Sequence, residues 1–548
     1  MIGETANPVN QSNTTLGVSN AGDRKSQIKA ALEPVLAIRH SREGLRSSAD
    51  VVVAVRTFAS AVSRLGPVFS QLLRHFGSRP DCFSPVHCLI LADTGLPWLL
   101  SPEELEPHFK DIDNSGSGFD GLYGDRERSD HLTQVYRWRE RPEIVFRLLN
   151  PEFIAHWKVD RDLLEQIIEP AEVIWPKVGV ERVVRQFKGE VEKTFEQRPE
   201  LDWAQARRET GREFPAPGIG FVPPELAKEF CNGGIIAMKE SVLSLELIPL
   251  VENENESASA AATADGSELG RRFSLSVFYH LCRGAWYPRS PSRGNVGGAT
   301  EAGLSLLGGS VESLDPKTQD RLFQYFSAVV SNRPDEAAEL LLALFEKTER
   351  GAASFERVRE LFRQIVPFRD GGMGDHSKIE SFSDYVFIQW RIATESGYQA
   401  PANLTPVIQC FWDASLLARN IDPSRDLLRD AYYEFRWIDT IFKLQESLTI
   451  DNIVQQGQDW FHLFVELREK LKTSARRADQ EADSPTKKAP APLPWFSILG
   501  HLFVMSSIGV FLVKLSQANV GGTGLLTLGI GAIAAAGLSL IGVFRRKR

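Results

Sequence analysis

Apolar residues recur at helical spacing early in the chain: Val51, Val52, Val55, Phe58, Val62 and Leu65, then Phe69, Leu72, Leu73 and Phe76. Intervals of three and four put one helix face against a core, so residues 26–110 are predicted to be helical. Ser101 and Pro102, followed by Glu103 and Glu104, predict a helix start: the serine caps the first turn, where the helix dipole favours acids. The period then shortens. Gln134–Tyr136 and Ile144–Leu149 read as strands around a charged turn. Helical spacing returns over Asp160–Ile168 and Val183–Thr210, and again from Asp315 to about Thr473.

Two runs near the C-terminus break the amphipathic pattern. Trp495–Val513 and Leu525–Phe544 carry no full charge in their interiors. Each is about 19–20 residues long, enough to cross a roughly 30 Å hydrocarbon core as a helix. The polar, glycine-rich Ser516–Gly524 between them predicts a helical hairpin. Lys487 and Lys488 precede the first run, and Arg545, Arg546, Lys547 and Arg548 follow the second. That bias places both ends, and the bulk of the chain, on the cytoplasmic face of the inner membrane. His501 lies inside the first run and reads as a neutral imidazole bonded to a neighbouring helix.

The chain has 548 residues and a net charge of -8, with no long basic stripe, which argues against nucleic acid as a partner. Cys82, Cys88, Cys231, Cys282 and Cys410 are scattered without a CxxC pair. The pattern suits a reducing compartment and excludes both a disulfide framework and a structural zinc. Residues 1–25 are polar, lack an apolar signal core and read as a disordered leader. The acidic, small-residue stretch 252–270 has nothing to pack and reads as an exposed, mobile insertion. Residues 474–494 form a charged, proline-rich linker.

Several local signals fail on inspection. DIDNSGSGFDGL at 111–122 begins like a calcium loop, but its twelfth position is Leu122 where a bidentate glutamate is required. GIGFVPP at 218–224 lacks the lysine and following helix of a phosphate loop. The ten histidines show no HExxH spacing, and no Ser-His-Asp or Cys-His arrangement emerges. No metal site is predicted.

A longer pattern is more informative. LGPVFSQLLRHFGSRPD (65–81) resembles the LGPxFxKxGQxxSxRPD opening signature of the UbiB/AarF family of atypical kinase-like proteins. IVFRLLNPEF (144–153) resembles its VAVKVQRPGI strand, and Thr133–Tyr136 its loop ending AQVH. ELDWAQAR (200–207) is similar to ELDYxxEA, and RGAWYPRSPSRGNV (283–296) to the catalytic loop GFFHADPHPGNI. LSLLGGSVESLDPKTQDRL (304–322) resembles the metal-binding segment LxLLDFGMVGxLxxxxRxxL, and residues 397–428 the helical tail motif. These segments follow in the family's order across roughly residues 40–435. The resemblance implies an α+β, two-lobed, protein-kinase-like fold: helical extension 26–110, small lobe 111–251, insertion 252–270, mostly helical lobe 271–473 and transmembrane hairpin 495–544.

The departures fall on the residues that do the family's chemistry. The lysine and glutamine of the first motif align with Gln71 and Arg74, and the phosphate-pairing strand lysine with Arg147. Arginine keeps the charge, but its planar fork does not substitute freely for a compact ammonium. The catalytic aspartate aligns with Ser290, and the metal-holding aspartate with Gly308 or Gly309. Phosphoryl transfer depends on positioning and on metal neutralisation of developing charge, so these losses remove its main parts. No catalytic residue is intact by this comparison. Gln134, Arg147, Glu200, Asp202 and Asn295 remain as a remnant nucleotide pocket, although Ala206 stands where a glutamate usually follows ELD. Asn295 follows a glycine and is equally a turn former. Asp315, before Pro316, reads as a helix cap rather than a displaced metal ligand.

The function this implies is a scaffold that supports quinone or other isoprenoid-lipid metabolism without catalysis. Its expected partners are membrane lipid and the biosynthetic enzymes of that chemistry. ATP and magnesium are expected only if the pocket is still used, and the alternative is an active atypical kinase or ATPase with displaced ligands.

Overall fold

A computed structural model describes residues 21–40, 47–93, 99–109, 122–124, 128–196, 206, 218–231, 235–239, 260–292, 294–300, 303–307, 310–348, 351–365 and 381–447. By contacts the chain divides into two units, Met1–Trp437 and Ile438–Arg548.

The N-terminal part is helical, as its spacing predicts. Helices α1 (Ala21–His40), α2 (Ser48–Ser63), α3 (Pro67–Gly77) and α4 (Pro85–Ala92) pack on one another. Ser47 starts α2 with a capping box: Asp50 N–H donates to Ser47 Oγ at 3.1 Å and Ser47 N–H to Asp50 Oδ2 at 2.9 Å. The apolar stripes of α2 and α3, including Val55, Phe58, Val62, Phe69, Leu72, Leu73 and Phe76, are buried throughout. Helix α5 (Pro102–Phe109) opens on the same device, with Ser101 and Glu104 exchanging hydrogen bonds.

Strands β1 (Leu122–Gly124), β2 (Thr133–Trp138) and β3 (Ile144–Leu149) follow, then α6 (Pro151–Asp160), a 3-10 turn at Arg161–Ile167, α7 (Ile168–Ile174) and α8 (Val180–Glu196). Next come β4 (Phe221–Val222), β5 (Glu225–Leu226) and β6 (Ile235–Lys239). The principal sheet has the order β1-β2-β3-β6-β5, and every neighbouring pair is antiparallel. Side chains alternate across it. Tyr136, Trp138, Phe146, Leu148 and Ile235 form a core with Leu105 and Phe109 of α5. Val135, Arg147 and Ile236 stand side by side in the register, and Val135 and Arg147 belong to the opposite face.

Helix α9 (Ala260–Cys282) is followed by β7 (Tyr287–Pro288), β8 (Val296–Thr300), β9 (Gly303–Leu306) and β10 (Val311–Glu312), which form small sheets with one another and with β4. Gly303 has φ 140°, and a Cβ there would stand 2.5 Å from the Gly220 carbonyl, so only glycine lets β9 approach β4 this closely. The remainder comprises α10 (Pro316–Val330), α11 (Pro334–Leu344), β11 (Glu346–Lys347), α12 (Phe355–Gln364), α13 (Phe382–Glu395), β12 (Tyr398–Gln399), α14 (Thr405–Ile421) and α15 (Leu427–Ser447). Phe278, Phe326, Phe382, Phe411 and Tyr432 interlock as its aromatic core.

The expected kinase-like fold class needs correction. The described residues form an α+β unit with several small sheets in which no pair of closed lobes separates. Hydrogen bonds cross the expected boundaries: Arg79 Nη1 to Gln186 Oε1 at 2.5 Å, Gln186 Nε2 to the Ala400 carbonyl at 3.3 Å, and Gln409 Nε2 to Ser78 Oγ at 3.1 Å. These bonds join described residues from all three of the expected segments. Residues 260–270, within the segment read as a mobile insertion, are the first turns of α9, and Gly270 packs against Leu427. The transmembrane hairpin finds no support either. Among the described residues no helix is long and apolar enough to cross a membrane. The runs 495–513 and 525–544 and the linker 474–494 lie outside the described residues, as does the leader up to residue 20, whereas its residues 21–25 are not disordered but begin α1, with Arg24 buried.

Candidate functional site

Helix α3 turns its apolar stripe into the core, which leaves Gln71, Arg74, His75 and Ser78 on another face at three- and four-residue spacing. This face closes one side of a cavity of about 410 Å³. Strand β3 supplies Arg147 from the sheet face opposite the Tyr136 core, and α8 supplies Glu190. The segment after β7 brings Arg289, Ser290 and Asn295, and α14 brings Gln409 and Asp413.

The charges inside are arranged unevenly. The Arg289 guanidinium lies against Glu190, whose carboxylate also meets His75 Nδ1 at 3.2 Å. Burial alone would raise the Glu190 pKa, but Arg289 and His75 beside it hold it well below the usual carboxylate range. Asp413 shows the opposite balance. Burial lifts its carboxyl to about 6, against the Ser290 hydrogen bond and the nearby Arg289 and Arg74. Ser290 Oγ donates to Asp413 Oδ2 at 2.5 Å across 123 positions of sequence. Burial also lowers the Arg147 guanidinium, with Asp130 opposing, and lowers His131 to about 4 with help from Arg74. Beyond Arg289 and Glu190 opens a second cavity of about 1060 Å³, walled by α8 and by the segments around β11 and β12.

Five of the residues singled out from sequence, Gln71, Arg74, Arg147, Ser290 and Asn295, line this one cavity. Asn295 keeps both of its readings. Its N–H bonds the Ser292 carbonyl in a turn, and its Nδ2 donates to the Ser290 carbonyl at 3.1 Å while the residue faces the cavity. Gln134 is elsewhere: one register step from Val135, it sits on the other face of β2, fully buried. Its Oε1 accepts from Tyr136 Oη at 2.6 Å and from Leu100 N–H at 3.4 Å, a structural task. Glu200, Asp202 and Gly308 lie outside the described residues. Asp315 caps α10, accepting from Thr318 N–H at 3.0 Å.

Sequence reasoning missed His75, Glu190, Arg289 and Asp413. Asp413 alone left a trace. It stands between Trp412 and Ala414 in a helix buried on most sides, where a carboxylate needs a reason. The donor set does not fit a magnesium ion, because Glu190 is held by Arg289 and His75, Asp413 by Ser290, and Asp130 by Leu132 and Thr133. Among the described residues no group of three or more His, Cys, Asp or Glu side chains is placed to hold a metal. Arg74 and Arg147 fit an anionic group better, since neither makes a hydrogen bond or ion pair with another described residue.

No family model matches the sequence, and no curated protein matches it. Among solved structures, the chain is similar to the complex of Rv3197 with erythromycin from Mycobacterium tuberculosis, at 14% identity over 63% of this chain and 86% of that one. The TM-score is 0.31, too low for the likeness to carry an argument about this protein.

Proposed function

We propose that this chain is a degenerate UbiB-like protein that binds a ligand without turning it over. As a scaffold, it supports quinone or other isoprenoid-lipid metabolism at the cytoplasmic face of a membrane. The observation that carries the binding reading is the cavity itself. Positions aligned with the family's lysines and catalytic aspartate converge there as Gln71, Arg147 and Ser290, yet the three carboxylates of the described lining, Asp130, Glu190 and Asp413, are all engaged by protein groups. Such a site can position an anion but lacks the charges that would organise a metal-bound triphosphate. Attachment to lipid rests on the sequence of 495–513 and 525–544 with its basic flanks, and the biosynthetic partners on the resemblance.

Thermal unfolding with nucleotide tests this reading, because a ligand bound only to the folded state raises apparent stability by mass action. The expected result is a nucleotide-dependent rise in melting temperature that is the same with and without magnesium. A rise that requires magnesium would refute it.

A second reading, an active atypical kinase or ATPase with displaced ligands, has one observation in its favour. Asp413 delivers a carboxylate to Ser290, the position aligned with the absent catalytic aspartate. That reading requires magnesium-dependent turnover lost in Asp413→Asn.

A further inference from the structure

Two features of the cavity belong together. Arg74 and Arg147 are half-buried guanidiniums with no ion-pair or hydrogen-bond partner among the described residues. Arginines removed from water normally take a carboxylate or an anionic ligand, because an unpaired buried charge is costly. Asp413 lines the same cavity, bonded to Ser290, and Arg74 is among the charges that act on its carboxyl.

We propose that Asp413 is a proton-controlled gate on an anion site formed by Arg74 and Arg147, whose ligand is a small molecule bearing a phosphate or sulfate group. When ionised, Asp413 competes for Arg74 and repels the incoming anion. When protonated, it keeps its contact with Ser290 and leaves both guanidiniums to the ligand. The inference rests on the binding-site reading above and adds the ligand class and its regulation.

The surroundings of Asp413 support a gate at this residue. Helix α3 presents Arg74 and His75, the segment after β7 presents Arg289 and Ser290, and Cys410 lies on its own helix. Asp130 and Glu190 are the other carboxylates of the cavity, and Lys side chains are absent from its described lining. Glu190 is committed to Arg289 and stays ionised in neutral and mildly acidic solution. Asp130 accepts from Leu132 N–H, Thr133 N–H and Thr133 Oγ1, which fixes it as the cap of a turn. Asp413 is held by one hydroxyl and has its carboxyl lifted to about 6, so its charge changes within the range a cell or an acidic membrane surface spans. A raised acid is neutral below that value and charged above it. The ligand should therefore bind more tightly as pH falls.

Sulfate is the probe, because its charge does not change between pH 5 and pH 8. Binding to the full-length protein is measured by calorimetry at both values. Wild type is expected to bind about tenfold more tightly at pH 5, the scale of one charge–charge interaction in a partly hydrated site. Asp413→Asn should bind at pH 8 as tightly as wild type does at pH 5 and lose the pH dependence, which separates this gate from His75. Arg74→Ala should weaken binding at both values. Equal wild-type affinity at the two values overturns the gate, as does a pH dependence that survives Asp413→Asn. Absence of sulfate binding at pH 5 overturns the site. If the asparagine variant fails to fold, Asp413→Ser replaces it, and the wild-type comparison still decides. Magnesium-dependent turnover would sink the binding-protein reading instead, whatever the sulfate result.

Discussion

Arg289 and Glu190 form an ion pair whose two members line both the cavity of about 410 Å³ and the larger one of about 1060 Å³ beyond it. Through His75 the same carboxylate joins α3 to α8, and through Arg289 it reaches the segment after β7. Gln409 Oε1 also accepts from Arg289 Nε at 2.7 Å, which brings α14 into the network. These are the contacts that keep the expected lobes from separating.

Glu190→Gln should therefore cost about 1–3 kcal/mol in urea unfolding at pH 7, because it leaves the half-buried Arg289 charge with only the longer contact to Glu312 at 4.0 Å. The pH dependence carries a sign. The folded-state pKa of Glu190 is depressed, so its contribution is present above the unfolded value of about 4.5 and drains away as pH falls below it. Wild type and variant should converge on acidification. A constant gap down to pH 3 would show that the pair is not the source.

Arg24 binds Asp160 through two bonds, Nε to Oδ1 at 2.8 Å and Nη2 to Oδ2 at 2.9 Å, with both side chains buried. Replacing Arg24 by Ala should cost about 2–4 kcal/mol, since a fully buried carboxylate is left with only the longer contact to His156 at 3.8 Å. Hydrogen exchange should speed up in α1 and α6 together. Faster exchange confined to α1 would mean that the helix frays without the pair mattering.

Arg147 gives the opposite expectation. Burial disfavours its charge and it has no ion-pair partner among the described residues. Arg147→Met should thus be neutral or stabilising by up to about 1 kcal/mol, while sulfate binding is lost. A large destabilisation would place Arg147 in the architecture instead of the site.

The contrast between Arg147 and Asp413 shows what the sequence made legible. Strands β2 and β3 were readable as short strand-like runs around a charged turn, and the starts of α5 and α10 from Ser101 and Asp315, because those signals are local. Arg147, Ser290 and Gln71 were found through family motifs, and they do share one cavity. Gln134 was misplaced because a one-step difference in strand parity sends a side chain to the other face. The Ser290–Asp413 contact spans 123 positions, and no local pattern encodes a pairing of that kind. Lobe boundaries failed for a related reason: composition reports element type, whereas bonds such as that of Gln409 to Ser78 are set by tertiary packing.

The proposed membrane attachment is separable from all of this. A chain lacking residues 495–548 should leave the membrane fraction on cell fractionation, because it loses both apolar runs and the terminal basic residues. If the shortened chain still sediments with membranes, attachment lies elsewhere.

Phosphate release from magnesium-ATP by purified full-length protein tests the central claim most directly. With Glu190 engaged by Arg289 and His75, Asp413 by Ser290 and Asp130 by Leu132 and Thr133, release should not exceed that of buffer alone, even in a preparation that nucleotide stabilises. Steady magnesium-dependent release that disappears in both Asp413→Asn and Asn295→Ala would contradict the account and make this cavity an active phosphoryl-transfer site.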